Sequence, residues 1–319
     1  MSALAVAVIG LLAISPAAAA HPKNTETLDA LLVRVAPEVR ENLWEDSSAS
    51  RGRRAEAVTP ATVPATADQP IRTHGEATDV SIWLPGSAAV SEDSVAGESV
   101  RVFDYGNGAS SVPLVKDDGS VQILTIIDEA GAPENYSYAL DVPGGASLAV
   151  EEDGAVHITG ADGEFIGGVA PAWAVDAKGA AVPTRYEVTG ATLTQVIDHD
   201  GRGFSYPIVA DPWLGIDLYG QPWISFVSQG YTVNVTPTAW GQVWAGPLTW
   251  FAHRDEVVSK LGSSSWRWTN TIQEQFYCHI AGLPFSLPVY NLESWRPFVG
   301  WAVSLAQYQC NPTGGGWSS

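Results

Sequence analysis

Basic residues are scarce in this chain: Lys and Arg number 16 against 35 Asp and Glu, a formal net charge of −19. The imbalance is local, with residues 69–212 at net −16 and residues 213–319 at net −1. Binding to a phosphate backbone or to an anionic membrane surface needs clustered cations, so nucleic acid is not expected as a partner, and the acidity is read as solubility outside the cell. Cysteine is nearly absent, with only Cys278 and Cys310. Apolar runs are short as well. The longest, residues 4–14, falls below the roughly 20 residues a spanning helix needs, so no membrane span is expected in the processed chain. Gly-x-Ser-x-Gly, His-Glu-x-x-His, phosphate-loop and dinucleotide motifs are all missing, and the six histidines show no metal-ligand spacing. No cofactor and no metal are expected.

What is present begins with a leader. Leu4 to Ile14 carries no charge, Pro16 follows, and Ala17 to Ala20 place small residues ahead of His21. This pattern suits a signal peptidase, so residues 1–20 are read as a signal peptide and His21 as the start of the mature chain. No Lys or Arg precedes the run; either the start codon lies further upstream or the amino-terminal charge suffices. No Cys lies near the cleavage point, which argues against a lipoprotein. The expected location is secreted or extracytoplasmic, with cell-wall association as one form of it. Within residues 21–45, Leu28, Leu31, Leu32, Val35 and Val39 recur at helical spacing, with Thr25 as the expected N-cap and Pro37 as an interruption. Residues 46–75 are rich in Ser, Ala, Thr and Pro and contain Arg51, Arg53 and Arg54; they read as a flexible linker.

From residue 76 to 212 the pattern is that of short strands. Alternating runs occur at 80–84, 99–105, 121–127, 136–142, 147–151, 155–159, 186–189, 193–198 and 204–209. Turns such as Asp117-Asp118-Gly119, Asp153-Gly154 and Asp200-Gly201 separate them and supply the positive φ of tight hairpins. Strand-to-helix alternation is missing, which argues against Rossmann and TIM designs. Residues 213–319 differ, holding 10 of the 13 Trp. Strands are expected at 223–227, 231–236 and 242–244, a short helix at 257–261 behind Asp255 and Glu256, and a mixed segment at 295–306. The Gly-rich tail, 314–319, is expected to be loose. The fold class is therefore mostly β: an antiparallel β-sandwich-like domain, then a small α+β or mostly β Trp-rich domain closed by a disulfide.

Two cysteines in one domain of an exported chain usually pair, and closing a loop of about 32 residues contributes roughly 3–4 kcal/mol in the chain-entropy model. The alternative, a Cys278 nucleophile beside His279, is opposed by adjacency, since neighbours on a strand point to opposite faces. Glu274 and Glu293 are the carboxylates nearest that bond and the pair to weigh as acid and base of a glycosidase; Glu293 pairing with Arg296 as a structural ion pair is the preferred reading. His253-Arg254-Asp255-Glu256 reads as a helix start with acids at the positive end of the dipole. Asp198-x-Asp200 has the opening of a calcium loop, but Arg202 and Val209 stand where oxygen ligands are required. Trp266-Arg267-Trp268, if extended, would put both indoles on one face as a ligand-binding surface.

Two stretches resemble known families. Gly190 to Val196 followed by Tyr206-Pro207-Ile208-Val209-Ala210-Asp211-Pro212 is similar to the repeated sheet modules of large secreted bacterial proteins. Gln275-Phe276-Tyr277-Cys278-His279, Asn291-Leu292-Glu293-Ser294-Trp295-Arg296-Pro297 and Cys310-Asn311-Pro312 resemble the carboxy-terminal domain called domain of unknown function 2599, found in secreted actinobacterial proteins. The second resemblance implies secretion and the Cys278–Cys310 bond, and it brings no activity. The leading expectation is a non-enzymatic extracellular or wall-associated binding protein whose ligand is a cell-wall glycan or a protein. The alternatives are a polysaccharide hydrolase acting through Glu274 and Glu293, and a secreted antagonistic effector. Oligomeric state is not legible in the sequence.

Overall fold

The computed structural model describes residues 26–44, 61–75, 78–163, 165–243, 249–282 and 288–313. The expected signal peptide, residues 46–60 of the expected linker, Trp244 and the Gly-rich tail lie outside the described residues.

The chain opens with α1 (Leu28–Val35), capped by Thr27, whose Oγ1 accepts from the Ala30 N–H at 3.2 Å. The cap is thus Thr27 and not Thr25. Pro37 ends the α-helical register, and residues 37–40 continue as a separate 3-10 turn. Strands β1 (Ile71–His74), β2 (Asp79–Trp83), β3 (Ala89–Val95), β4 (Glu98–Asp104), β5 (Ala109–Val115), β6 (Val121–Ile127), β7 (Asn135–Asp141) and β8 (Ala146–Val150) follow. Next come β9 (Val156–Gly160), β10 (Phe165–Val169), β11 (Trp173–Val175), β12 (Thr184–Thr189), β13 (Thr192–Ile197), β14 (Ile208–Asp211) and β15 (Trp213–Gly215). The last part contains β16 (Trp223–Val227), β17 (Gly230–Val235), α2 (Ala239–Val243), α3 (Trp250–Leu261), α4 (Asn270–Gly282), β18 (Tyr290–Glu293) and α5 (Trp301–Tyr308). Among the described residues no helix is long and apolar enough to cross a membrane.

A five-stranded sheet, β1-β2-β7-β13-β12, packs on a larger sheet, β3-β4-β5-β6-β15-β10-β9-β8, with β11 and β14 branching from it. Every strand pairing is antiparallel. Alternation decides which side chains meet between the sheets. Tyr136, Tyr138 and Leu140 of β7 face Val121, Ile123 and Ile127 of β6 in one core. The other face of β6 sends Leu124 and Ile126 against Leu31, Leu32, Ala36 and Val39 of the N-terminal helix and turn. Covering on both faces explains why β6 is an unbroken run of buried residues rather than an alternating one.

The linker reading fails for residues 61–75. Ala61 and Ile71 enter the sandwich core, Thr62 bridges to Arg72, and 71–74 is the edge strand β1. Backbone pairing supplied what the composition lacks in large apolar residues. The strand expected at 204–209 starts only at Ile208. Residues 242–243 belong to α2 rather than to a strand, and the mixed segment at 295–306 is helical only from Trp301.

β14 and β15 are one path broken at Pro212, lying end to end along β6: Ile208 opposes Ile127 and Leu214 opposes Val121. Asp211 is buried within it and accepts from Gln122 Nε2 at 2.7 Å. From β15 the chain passes directly into the Trp-rich part. The joint is tight: the fully buried Trp240 lies against Gly215, where a Cβ would stand 2.1 Å from the indole Cγ. Trp213 packs on Trp240 with ring centroids 6.3 Å apart and donates from Nε1 to Ser120 Oγ at 2.9 Å. Asp118 completes the joint. Its Oδ1 accepts from the Ser120 N–H and hydroxyl, and its Oδ2 accepts from the Trp240 N–H at 3.1 Å.

Two outcomes are expected. Gly215→Ala inserts a methyl into the Trp240 ring and should lower stability by about 1–3 kcal/mol or more, read as a fall in the urea midpoint, while Gly131→Ala, with open space around its Cα, should be near neutral. The second concerns pH. Burial pushes the Asp211 carboxyl from 3.8 up to about 7, against the pull of its Gln122 hydrogen bond. A folded pKa above the unfolded one means that folding takes up a proton in that window, so the Asp211 contribution to stability is full below pH 3.8 and is lost as pH rises through about 7. Asp211→Asn should flatten part of that slope in melting temperature. Glu256 and Asp128, raised in the same direction by burial, should retain part of the slope.

Candidate functional site

The C-terminal unit is a three-stranded sheet, β16-β17-β18, packed against α3 and α4 around Tyr219, Val233, Trp240, Val257, Phe276 and Tyr290. The sandwich contributes Ala155 and Ala170 to the same core.

Trp266-Arg267-Trp268 is not a strand. Gly262, at φ +51°, ends α3, and residues 262–267 continue as a 3-10 helix. With three residues per turn, positions two apart do not share a face. The two indoles separate accordingly. Trp268 is partly buried against the core and packs edge-on to Phe276 at 5.1 Å, while Trp266 remains 68% exposed. The pair expected to bind together is therefore one core residue and one surface residue.

Arg267 gathers a different surface. Its guanidinium lies 4.1 Å from the Trp266 ring centroid, 4.9 Å from Phe226 and 5.0 Å from Tyr231. Phe226, on β16, is 69% exposed, and Tyr231, opposite it on β17, fixes the turn by donating from its hydroxyl to the Arg267 carbonyl at 2.9 Å. Among the described residues no carboxylate pairs with Arg267. Its planar cation is held by ring faces alone, each contact contributing about 0.5–1 kcal/mol at an exposed site. This stacking leaves the guanidinium N–H fork free to meet a carboxylate or phosphate. Reading the sequence locally missed Phe226 and Tyr231, because their partner lies some forty residues away and nothing in either segment announces it.

The two candidate carboxylates have structural partners. Glu274 Oε2, on α4, accepts from the Trp301 N–H at 2.7 Å and so caps the start of α5. Glu293 forms an ion pair with Arg296, whose Nη1 also reaches the Pro312 carbonyl at 3.4 Å. Gln275 bonds both backbone groups of Glu293: its Oε1 accepts from the N–H at 2.9 Å and its Nε2 donates to the carbonyl at 3.0 Å. Ser294 Oγ accepts from the Tyr231 N–H at 2.9 Å. The Asn291-to-Pro297 block thus ties β17, α4 and the chain end together.

Cys278 and Cys310 are bonded, joining α4 to the end of α5. Cys278 and His279 lie on a helix rather than a strand, and what removes the nucleophile reading is the bond itself. His279 is buried, with Nδ1 2.7 Å from the Gln275 carbonyl and its ring 5.1 Å from Tyr290. Burial holds its pKa below the ordinary value, so it stays neutral.

His253 and Glu256 do not begin a helix. α3 starts at Trp250, which places both inside it. His253 is buried, 2.7 Å from the Tyr219 hydroxyl through Nδ1. Glu256 accepts from the Leu218 and Tyr219 N–H groups at 2.9 Å and lies 3.1 Å from Lys260, which also reaches Asp217 at 2.9 Å. Burial weighs against the Lys260 ammonium, but the neighbouring carboxylates outweigh it and raise its pKa. This cluster staples the segment that leaves the sandwich onto α3. Asp198 lies 3.6 Å from both Arg185 and Arg202, so cations of the chain already occupy its surroundings. A cavity of about 480 Å³ beside Trp44, Val63, Val100 and Val115 contains none of these candidates.

Fold and surface together define a β-sandwich protein with a Trp-rich, disulfide-closed C-terminal unit that exposes an aromatic–guanidinium cluster. Residues 220–313 match the family model described as Protein of unknown function (DUF2599), which covers that unit and not the sandwich. Neither the curated proteins nor the solved structures gave a significant match.

The separation of the two indoles generates an expectation. Trp268→Ala should lower stability by about 3 kcal/mol, as loss of a packed aromatic does, whereas Trp266→Ala should change it by less than about 0.5 kcal/mol. Denaturant titration of the two variants checks this.

Proposed function

We propose that this is an exported, non-enzymatic binding protein whose recognition face is the Trp266–Arg267–Phe226 cluster, and that its ligand is a carboxylate-bearing cell-wall glycan. The observation carrying the reading is the Arg267 guanidinium, without a carboxylate partner among the described residues, stacked between two largely exposed rings. Ring faces suit the flat apolar side of a sugar, and the cation between them suits a carboxylate on the same polymer. Export is supported by the apolar leader ending in four alanines and by the Cys278–Cys310 bond, which persists in an oxidising compartment. Nothing favours the hydrolytic reading, since Glu274 and Glu293 are engaged by a helix terminus and an arginine.

The test uses the processed chain and purified, insoluble peptidoglycan. Trp266→Ala and Arg267→Gln should retain the melting temperature and bind at least about 30-fold more weakly, the effect of losing a contact of about 2 kcal/mol. Binding by the unaltered chain should weaken with salt. Full retention of binding in both variants would overturn the assignment of this face.

A further inference from the structure

β16 is an edge strand with a free side. The Tyr231 carbonyl accepts from the Ser294 N–H, so the backbone groups of Tyr231 face β18 and those of the next residue, Thr232, face β16. Ser225 opposes Thr232 and is therefore bonded inward, which turns the N–H and C=O of Ile224 and Phe226 out of the sheet. Among the described residues nothing bonds to those four groups.

Three of the other edge strands are guarded, whereas β8, Ala-Ser-Leu-Ala-Val, carries no charge either. β3 carries Glu92 and Asp93, β12 carries Arg185 and Glu187, and the outer groups of β18 at Glu293 are closed by the Gln275 side chain. Charges and capped backbone are how natural sheets prevent edge-to-edge pairing. β16, Trp-Ile-Ser-Phe-Val, has no charge, no proline and no bulge, and three of its five side chains are exposed: Trp223 at 47%, Phe226 at 69% and Val227 at 47%.

We propose that β16 pairs antiparallel with β16 of a second copy of this chain about a two-fold axis at Ser225. The register is self-complementary. With the axis there, Ile224 of one copy faces Phe226 of the other, and the outward groups form four hydrogen bonds. Trp223 then faces Val227, covering two of the exposed apolar side chains. No charge meets a like charge along the seam, although each chain is at net −19. The joined sheet has six strands, and both outer edges are β18, whose Glu293 backbone groups are already bonded by Gln275. The association is isologous and stops at two. A seam of five residues is small against the area of a stable interface, so the dimer is concentration-dependent. It sets two Arg267 clusters on one face of one sheet, which raises avidity for a repeating polymer.

The test needs no ligand, so its outcome is independent of the glycan reading. Sedimentation of the processed chain should show the mass double between low and several hundred micromolar. Across the axis the two Ser225 Cα atoms would lie about 4.5 Å apart, the spacing of a non-hydrogen-bonded pair. Ser225→Cys should therefore cross-link copies under mild oxidation, and Ser228→Cys, in the turn, should not. Ser225→Glu, with an unchanged melting temperature, should remain monomeric. A monomer at every concentration without a Ser225→Cys cross-link overturns the pairing and leaves the edge to an extended segment of another protein. Equal cross-linking of both cysteine variants overturns the register.

Discussion

The packing of Trp240 onto the bare backbone of Gly215 is the constraint on which the rest depends. It puts the largest buried side chain of the C-terminal unit against the last strand of the sandwich, where only glycine permits the approach. Trp213, two residues before Gly215, packs at a tilt against the same indole, and Asp118 at the tip of the β5–β6 hairpin accepts from the Trp240 N–H. One hairpin turn thereby serves both parts. The chain that leaves β15 has no slack, and the next residues are fixed at once by Glu256 binding the Leu218 and Tyr219 N–H groups.

From this anchor the surface cluster follows mechanically. Tyr219 packs on Phe276, Phe276 on Trp268, and Trp268 closes the 3-10 turn that carries Arg267. Tyr231 holds the end of that turn and lies under the guanidinium. Tyr231 and Trp268 are thus tied through packed rings to the sandwich joint, and they hold the turn that presents Arg267. A long cationic side chain loses rotamer entropy when it binds, and ring contacts made beforehand reduce that cost.

Legibility in the sequence tracked local physics. β6, β7 and β16 could be read because their residue types and period are set by faces they bury or expose along their own length. β3 was missed because Ala-Val-Ser-Glu-Asp-Ser-Val is mostly exposed and shows no alternation. β1 was missed because its pairing, not its composition, makes it a strand. α4 was missed for the opposite reason: Ile272 and the run from Gln275 to Ile280 are buried, so its apolar residues encircle the helix and leave no stripe to detect. Both cysteines and the Glu293–Arg296 pair were legible, being close in sequence or few in number. Trp266 and Trp268 share no face because α3 breaks at Gly262 into a 3-10 turn, where a spacing of two does not have the alternation of a strand.

Charge placement joins the fold to its use. The sandwich carries net −16 over residues 69–212, and part of that charge stands on edge strands where it discourages pairing. The C-terminal unit is almost neutral, and its acids are largely committed: Glu256 and Asp217 to Lys260, Glu293 to Arg296, Asp255 to Arg254, Glu274 to a helix terminus. Each of those arginines and the lysine has its carboxylate. Arg267 has rings instead, in a chain with twice as many acids as bases. In a protein so rich in carboxylates, an arginine with no carboxylate partner among the described residues has its charge available to something outside the chain. The faces of its guanidinium meet Trp266, Phe226 and Tyr231 rather than an acidic side chain among the described residues.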